Sequence, residues 1–349
     1  MKVFITSSAE KPINFSLYGG TEDAVGNLAT AITKFDKVEE VSVSCCKGSI
    51  LPKNPKIRII ETVYPSKDPY HDWFAKEKEA YRIFEPYLKD YGIICDNLGS
   101  QLIYTYKMKH PEAKICHLFH GPCPWKEPPL IDGDLHFICA SRLQAMDISH
   151  HLDVSCEVIH HGINTDLYPF KEEKGDRYLS LNRICDEKGI LEFINVMRNT
   201  DSKGDTCGED YFIASQEYVQ KVRSRCDGSQ IKYYGTVSYE DKVRFFQGAK
   251  ATISLPMYPF MEIFGLHASE SMSCGTPVIG LRNGGLIDQI EDGKTGFLCD
   301  TLDEVEEVIR SNKIEEIDPY ECRRRVKENF SIEVMAKGYL EFFKEMLDE

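Results

Sequence analysis

Short apolar runs alternate with segments of helical periodicity along almost the whole chain. Residues 2–6 form the first apolar run, and the segment 21–35 carries its apolar side chains at helical spacing. This alternation is typical of repeated β-α units, whose strands lie side by side in a parallel sheet. The pattern continues to about residue 165 and restarts at residue 176, so we expect an α/β fold with two doubly wound, Rossmann-like domains.

A polar and charged stretch, 169–176, separates the two sets of apolar runs. We therefore predict an N-terminal domain over 1–168 and a C-terminal domain over 169–331, each large enough to bury its own core. A helix with a strongly apolar face is predicted over 331–349. In the second domain the predicted strands are 176–181, 211–214, 231–234, 251–254, 277–280 and 296–299.

The charge and the cysteines limit the partners and the compartment. The net charge is −14, from 42 basic and 56 acidic residues, which repels nucleic-acid phosphates and argues against a DNA or RNA partner. A small phosphorylated ligand remains compatible, since a few cations in a cleft act at short range. The 13 cysteines are odd in number and scattered, as expected for free thiols in a reducing compartment. Because we see neither a signal-like nor a membrane-spanning stretch, we expect a cytoplasmic protein.

The segment 261–285, MEIFGLHASESMSCGTPVIGLRNGG, carries the most chemical information. We expect a helix over about 264–274, and Gly275 then suits the left-handed position that follows a helix. Glu262 stands at the helix entrance, and Glu270 lies about two turns further on, roughly 8–12 Å away along the axis. Two carboxylates and the free amides of a helix start would suit a polyol and a phosphate.

Within this segment, the string E-x-F-G-(x)4-E-x-M-x-C-G-x-P-V-I resembles the signature of the retaining glycosyltransferases of family four, which have the GT-B fold. The resemblance implies two Rossmann-like domains that face each other across a cleft. Other stretches that resemble elements of this family are Gly19-Gly20-Thr21-Glu22, His120-Gly121-Pro122, residues 158–166, Arg183 with Lys188 and Gly189, Asn283-Gly284-Gly285, and the tail from Phe330. By the same resemblance, the tail helix 332–349 is expected to pack back on the N-terminal domain.

The resemblance implies a role for each of these positions. Arg183 and Lys188 would hold the donor diphosphate, whose developing charge needs fixed cations. Glu270 would bind the ribose hydroxyls, Glu262 would bind hydroxyls of the donor sugar, and His120 would lie near the transferred sugar. The full donor-binding set is Gly19, Gly20, Arg183, Lys188, Glu262, Ile263, Phe264, Gly265, Leu266, Glu270 and Gly284. The catalytic set is Glu262, His120, Arg183 and Lys188.

Each of these residues also has an ordinary structural interpretation. Arg183 and Lys188 would then be surface cations at a helix start, and the two glutamates would be solvated helix residues. His120 would be a structural histidine, and Gly19-Gly20 a simple turn. The match over the whole of 261–285 favours the functional interpretation.

The implied function is transfer of a hexose from a UDP- or GDP-linked sugar to a hydroxyl group of a glycan, lipid or small molecule. The anomeric configuration would be retained, and neither a metal nor another cofactor would be required. In this family the acceptor attacks on the face from which the phosphate leaves, and the phosphate takes the proton. One alternative is a sugar-nucleotide epimerase of the same fold, which would not be expected to carry Glu262 and Glu270 at this spacing. The other is a sugar-nucleotide-binding protein without transferase activity.

Three further features have weaker claims to function. Asp132-Gly133-Asp134 looks like a metal-binding Asp-x-Asp, but a turn explains it. No common zinc-site spacing is matched by Cys116, His117, His120 and Cys123. The stretch 73–89 mixes aromatic residues with lysines, which suits peripheral contact with a membrane, although the acidic total charge favours a packed surface helix. A lipid-linked acceptor would also bring the protein to a membrane.

Overall fold

The structure, a computed structural model, describes residues 1–15, 19–66, 68, 71–129, 136–211 and 215–348. They form two compact units: the first contains Met1–Gly162 and the chain from Ile332 onward, and the second contains Ile163–Ser331. The first unit ends before the polar stretch that marked the expected boundary. Arg323 explains this, because it donates to the carbonyl oxygens of Thr165, at 3.0 Å, and Tyr168, at 2.6 Å.

The first unit is built on a parallel sheet. Its described strands are β1 (Lys2–Thr6), β2 (Glu40–Cys45), β3 (Ile57–Glu61), β4 (Ile93–Asp96), β5 (Lys114–Phe119), β6 (His136–Cys139) and β7 (Cys156–Val158). They pair in the order β3-β2-β1-β4-β5-β6-β7. Its described α-helices are α1 (Gly20–Ile32), α2 (Trp73–Phe84), α3 (Leu102–Lys109), α4 (Arg142–Leu152) and the C-terminal helix (Ile332–Asp348). A 3-10 helix, Glu85–Asp90, follows α2.

Strand β1 shows why the strands of this sheet are continuous apolar runs. Val3 and Ile5 belong to one core cluster, with residues of α1 and the C-terminal helix. Phe4 belongs to the other, with residues of α2, α3 and α4. All three side chains are fully buried. Because helices cover both faces of the sheet, neither face selects for polar residues.

The C-terminal helix packs on the same face of the sheet as α1. Met335, Tyr339 and Phe343 are buried there, in the cluster that also holds Val3 and Ile5. Burial of each such side chain contributes roughly 1.5–3 kcal/mol, so the first unit depends on the last residues of the chain. Neither this helix nor any other in the described ranges is long and apolar enough to span a membrane.

The second unit repeats the same design. Its described strands are β8 (Arg177–Leu181), β9 (Lys203–Cys207), β10 (Ile231–Gly235), β11 (Thr252–Ser254), β12 (Val278–Leu281) and β13 (Gly296–Cys299). They pair in parallel in the order β10-β9-β8-β11-β12-β13. Its described α-helices are α5 (Ile190–Asn199), α6 (Gln216–Ser224), α7 (Tyr239–Gly248), α8 (Leu266–Ser273), α9 (Leu286–Gln289), α10 (Leu302–Arg310) and α11 (Pro319–Asn329). Short 3-10 helices lie at Thr165–Leu167, Asp186–Lys188 and Lys313–Glu316.

One strand of this sheet, β9, was not predicted from the sequence. Of the strand expected at 211–214, Tyr211 forms a bend and the rest lies outside the described residues. The sequence of β9, KGDTC, contains no apolar run. Gly204 has no room for a side chain, because a Cβ there would lie 2.8 Å from Met197 and 2.9 Å from Phe193 of α5. Helix α5 therefore supplies the apolar volume that this strand lacks.

In both sheets the strand order reverses at one point, between β1 and β4 in the first unit and between β8 and β11 in the second. The connections from two such strands run in opposite directions, which opens a crevice outside their carboxyl ends. Residues that follow β1, β4, β8 and β11 are therefore placed where ligands bind in folds of this kind.

Candidate functional site

Two loops of the second unit carry half of the predicted site residues. One leaves β8 and contains Arg183 and Lys188, and the other leaves β11 and contains Glu262. Because β8 and β11 are neighbours at the reversal of strand order, both loops emerge at the same edge of the sheet. Glu270 follows within α8, which begins at Leu266.

Lys188 and Glu262 form a buried ion pair. Lys188 Nζ lies 2.5 Å from Glu262 Oε2, and the two side chains are 11% and 8% exposed. The ammonium group also lies 4.5 Å from the centroid of the Phe260 ring. Burial by itself raises the pKa of Glu262, but Lys188, His267 and Arg183 together bring that pKa below its usual value. At neutral pH Glu262 is therefore a carboxylate that accepts hydrogen bonds and does not donate a proton.

A glycine sets the geometry where the Glu262 loop enters α8. Gly265 has a φ of +83°, and a Cβ there would lie 3.0 Å from Glu262 Cγ and 3.2 Å from His267 Cε1. His267 Nε2 is hydrogen-bonded to Ser254 Oγ at 2.9 Å. Burial lowers the pKa of His267 despite the nearby Glu262. At the other end of the helix Gly275 has a φ of +82°, which confirms the left-handed position predicted for it.

The turn Asn283-Gly284-Gly285 holds the Glu262 loop in place. Asn283 Oδ1 accepts from Glu262 N at 2.9 Å, and Gly285 N donates to Glu262 O at 2.7 Å. Gly284, with a φ of +53°, approaches so closely that a Cβ would lie 1.8 Å from Glu262 O. This turn was predicted from the sequence. Its hydrogen bonds to the backbone of Glu262 were not.

The predicted donor-binding residues between Glu262 and α8 have buried side chains. Ile263 is 9% exposed and Phe264 is 2% exposed, so their side chains belong to the core. Gln289, which is fully buried, donates to the carbonyl oxygen of Phe264 and fixes the path of the chain. A ligand at this position would meet main-chain atoms and the start of α8 at Leu266.

Glu270 is buried and shares one oxygen between two donors. Its Oε1 accepts from the Tyr168 hydroxyl at 2.5 Å and from Lys242 Nζ at 2.8 Å. The Lys242 ammonium also lies 5.3 Å from the centroid of the Tyr168 ring. Neither partner was predicted from the sequence. Lys242 lies on α7 in no recognisable motif, and the predicted boundary placed Tyr168 in the first domain.

Arg183 borders a cavity of about 320 Å³ in the second unit. Its Nη2 lies 3.3 Å from Glu187 Oε2, and its side chain is 23% exposed. The cavity is also lined by Cys185, Asp186, Glu187, Ser215, Glu217, Tyr218 and Lys221. Arg183 is also among the groups that lower the pKa of Glu262, so both cations of the loop after β8 act on this carboxylate.

His120, in the first unit, directly follows β5. Its Nε2 lies 2.8 Å from Asn97 Oδ1, and its ring stacks on that of His161 with the centroids 5.4 Å apart. Burial, His161 and His117 hold the pKa of His120 well below its usual value. His120 was predicted from the sequence, but Asn97, which follows the neighbouring strand β4, was not.

Gly19 and Gly20 lead into α1, which starts at Gly20, one residue before the predicted start. A Cβ at Gly19 would lie 2.7 Å from Glu22 Oε2. Glu22 is buried, and burial raises its pKa. A side chain at Gly19 would therefore force the Glu22 carboxylate to move. Tyr18, which precedes the two glycines, lies outside the described residues.

Of the features with weaker claims to function, Asp132-Gly133-Asp134 lies outside the described residues. His117 Nδ1 lies 2.9 Å from Asp96 Oδ2 in a buried pair. In the part of the chain that the structure describes, no three His, Cys, Asp or Glu side chains are arranged to hold a metal ion. All 13 cysteines are free thiols, as expected.

The residue pattern of the second unit matches a known family. Residues 168–330 match the sequence profile of the family described as "Glycosyl transferases group 1". This segment is a group 1 glycosyltransferase domain. It lies within the second unit, Ile163–Ser331, and includes Arg183, Lys188, Glu262 and Glu270.

Relatives of the group 1 domain and of the whole chain are also known. A protein named "Probable sucrose-phosphate synthase" from Thermosipho melanesiensis is 38% identical over 219 residues, which cover 57% of this chain and 50% of that protein. The structure of sucrose-phosphate synthase from Thermosynechococcus elongatus has a TM-score of 0.80 at 17% identity and covers 99% of both chains. That of HepE from Anabaena in complex with UDP-glucose has a TM-score of 0.70 at 14% identity and covers 99% of this chain and 100% of that one.

These structural likenesses show the fold. The two Rossmann-like halves, with seven and six strands, are those of GT-B glycosyltransferases, which confirms the predicted fold class. The chain spans about half the length of the curated relatives it matches: 36%, 60% and 50% of three of them.

Proposed function

We propose that this chain is a retaining glycosyltransferase that moves a hexose from a UDP- or GDP-linked sugar to a hydroxyl group of a glycan, lipid or small molecule. The observation that carries the proposal is the buried Lys188–Glu262 pair at the strand-order reversal of a group 1 glycosyltransferase domain. The pair combines a fixed cation, which suits a phosphate, with a fixed carboxylate, which suits sugar hydroxyls. HepE, which shares the fold, binds UDP-glucose, and this supports a nucleotide-sugar donor.

Lys188 and Arg183 would hold the diphosphate of the donor. Cleavage of the sugar–phosphate bond leaves negative charge on the nucleoside diphosphate, and cations that are already in position stabilise it without reorganisation. Each cation has a carboxylate partner in the structure, Glu262 for Lys188 and Glu187 for Arg183. These partners keep the cations oriented before the donor binds.

Glu262 would accept hydrogen bonds from hydroxyls of the donor sugar, and Glu270 would accept them from the ribose. Oε1 of Glu270 already accepts from Tyr168 and Lys242, which leaves Oε2 for the ribose. The two donors fix the orientation of the carboxylate. Tyr168 and Lys242 are therefore part of the proposed site, although neither would touch the sugar.

The charge state of Glu262 suits a group that accepts hydrogen bonds from sugar hydroxyls. A residue that protonates a leaving group needs a raised pKa, whereas the pKa of Glu262 is lowered by Lys188, His267 and Arg183 against the effect of burial. In the proposed reaction the leaving phosphate takes the proton of the acceptor hydroxyl, which attacks on the same face. The protein contributes positioning and stabilisation of charge.

Release of nucleoside diphosphate from a panel of UDP-, GDP- and ADP-sugars tests this proposal without an acceptor, because water can take the acceptor's place. We expect slow hydrolysis of one donor by the wild type and its loss in the Glu262→Gln and Arg183→Ala variants. Glu315→Gln is the matched control, since Glu315 forms a 2.7 Å pair with Lys250 and is 61% exposed in the same unit. The control should hydrolyse the donor at the wild-type rate.

A binding titration with the same panel separates the remaining outcomes. Tight binding of a donor without turnover, even with a broad set of sugar and lipid acceptors, would favour a binding protein without transferase activity. No binding of any nucleotide sugar would overturn the proposed function.

A further inference from the structure

A chain of buried polar groups lies at the carboxyl ends of β1, β4 and β5, beneath His120. Thr6 Oγ1 donates to Asp96 Oδ1 at 2.8 Å and accepts from the backbone amide of Asn97 at 2.7 Å. Asp96 Oδ2 lies 2.9 Å from His117 Nδ1. Thr6, Asp96 and His117 are at most 1% exposed, and Asn97 is 5% exposed. These contacts fix the backbone from which the Asn97 side chain extends.

The orientation of the Asn97 amide decides which atom faces His120. Asn97 Nδ2 donates to the carbonyl oxygen of Cys95 at 3.2 Å, and Asn97 Oδ1 lies 2.8 Å from His120 Nε2. The reverse orientation would place Oδ1 against the Cys95 oxygen, and two acceptors do not bond. An amide oxygen can only accept a hydrogen bond, so the proton of His120 must be on Nε2.

His120 also remains uncharged. The titratable groups that act on it are His161, whose ring stacks on it, and His117, which is paired with Asp96. Burial, His161 and His117 all lower the pKa of His120. The pKa of His161 is itself lowered to about 4 by burial and by His160, so His161 is neutral as well at physiological pH. A neutral ring with its proton on Nε2 has a lone pair on Nδ1, and no described residue hydrogen-bonds this atom.

We propose that Asn97 is a positioning residue, which fixes His120 in the Nε2–H form so that Nδ1 accepts a hydrogen bond from a hydroxyl group of the donor sugar. This deepens the proposed function and rests on it, because the donor sugar is the ligand that the function requires. His120 would thereby accept a hydrogen bond from the hydroxyl group of the sugar. It would serve neither as an acid nor as a cation. Asn97 would act through His120 and would not touch the substrate.

The tautomer can be measured directly by nitrogen-15 NMR of the full chain with labelled histidines, with His120→Gln as the assignment variant. We expect the pattern of a neutral imidazole protonated on Nε2, unchanged from pH 8 down to about pH 6. A proton on Nδ1, or an imidazolium at neutral pH, would overturn the proposal. This spectrum needs no enzymatic turnover and no variant of Asn97.

Two substitutions test the positioning role by its pH dependence. Asn97→Ala removes the acceptor, and we expect about a tenfold loss of kcat/KM at every pH from 6 to 8. Asn97→Asp places a carboxylate beside the ring, which stabilises the imidazolium. Its kcat/KM should therefore fall as the pH is lowered from 8 to 6, whereas that of the wild type should not. Parallel profiles for the Asn97→Asp variant and the wild type would contradict the role.

The matched control is Asn54, a partly buried asparagine of the same unit whose Nδ2 donates to Thr33 Oγ1 at 2.9 Å. Asn54→Ala and Asn54→Asp should keep the wild-type pH profile. If an Asn97 variant fails to fold, the spectrum of the wild type still decides the tautomer.

Titration with the donor separates failure of this inference from failure of the proposed function. The nucleotide sugar identified in the hydrolysis panel should shift the Nδ1 resonance of His120, whereas the matching nucleoside diphosphate should not. Equal shifts with both ligands, or no shift with a nucleotide sugar that binds, would refute the hydroxyl contact alone. A protein that binds no nucleotide sugar would refute the proposed function, while its tautomer would still be measured.

Discussion

The two units share one strand order but place different polar chemistry at their strand ends. The second unit holds two largely buried ion pairs, Lys188–Glu262 and Lys242–Glu270. The first unit places a neutral pair there, His120 and Asn97, in which burial and the neighbouring histidines disfavour the charged imidazole. A buried charge needs a partner, whereas a neutral hydrogen-bonded pair does not. Topology thus fixes where a site lies, and the side chains decide whether it suits an anion or a hydroxyl group.

The largest effect is expected from removing a cation of the second unit. Lys188→Ala should lower the rate of donor hydrolysis about 100- to 1000-fold, because one fixed donor to the leaving group is lost. Asn97→Ala in the first unit, by contrast, should cost about tenfold. Initial rates of nucleoside diphosphate release measure both, with Lys250→Ala as the control cation. Equal losses of the hydrolysis rate from the two substitutions would show that the charged group of the second unit contributes no more than the neutral pair of the first unit.

Glycines near the two sites should differ in their tolerance of a side chain. Gly284→Ala should lower the free energy of unfolding by roughly 2–5 kcal/mol, because its φ is +53° and a Cβ would meet Glu262 O at 1.8 Å. Gly121, next to His120, has open space around it, so Gly121→Ala should change it by at most about 0.5 kcal/mol.

Urea unfolding measures the free energy of unfolding of both glycine variants. Gly293→Ala separates the cost of a positive φ from that of a steric clash. Gly293 has a φ of +72° but no atom within 4 Å of its Cβ position. We expect a cost of roughly 1–2 kcal/mol for it. If Gly284→Ala cost no more than Gly293→Ala, the loop around Glu262 would be less tightly packed than the structure shows.

Stability should depend on pH through different groups in the two units. Burial and His160 lower the pKa of His161 from 6.5 to about 4, so the unfolded chain binds a proton in a range where the folded chain does not. Stability therefore falls as the pH drops from 6.5 to 4, by at most about 3 kcal/mol from this residue. Glu262 has a lowered pKa, so its contribution is present above pH 4.5 and is lost only as the pH falls through that lowered value.

Thermal unfolding between pH 7 and pH 4 distinguishes these two contributions. His161→Phe should flatten the decline of the midpoint between pH 6.5 and pH 4, and Glu262→Gln should leave the slope above pH 4.5 unchanged. The assignment fails if His161→Phe keeps the full wild-type slope.

The smallest effect is expected from removing metal ions. In the proposed function, Arg183 and Lys188 would supply the positive charge that a metal ion would otherwise supply to a leaving phosphate. EDTA should therefore change the rate of donor hydrolysis by less than about twofold. A strong loss that added Mg²⁺ or Mn²⁺ restores would show that the cations of the second unit do not suffice.

The fold could be predicted wherever the strands are apolar runs. Strands such as β1 are covered on both faces, so their sequences show continuous hydrophobicity. Strand β9 could not be found in this way, because Gly204 leaves the space to Phe193 and Met197 of α5. Such a strand is specified by a helix that precedes it, and no local pattern reveals it.

The candidate site could be predicted only as far as its residues fall within one motif. The segment 261–285 brought out Glu262 and Glu270, but the motif does not show the groups that hold them. Lys242 lies on another helix, and Asn97 reaches His120 from a neighbouring strand. These contacts depend on how the chain folds back on itself, so spacing in the sequence carries no signal for them.

The position of the C-terminal helix has a consequence for the order in which the protein is made. The core of the first unit includes Met335, Tyr339 and Phe343, which leave the ribosome after all of Ile163–Ser331 has been synthesised. Until then, the apolar face of α1 lacks this covering. The unit that is encoded first is therefore completed last. A ribosome that stops near residue 330 would leave the group 1 domain attached to a first unit that lacks its C-terminal helix.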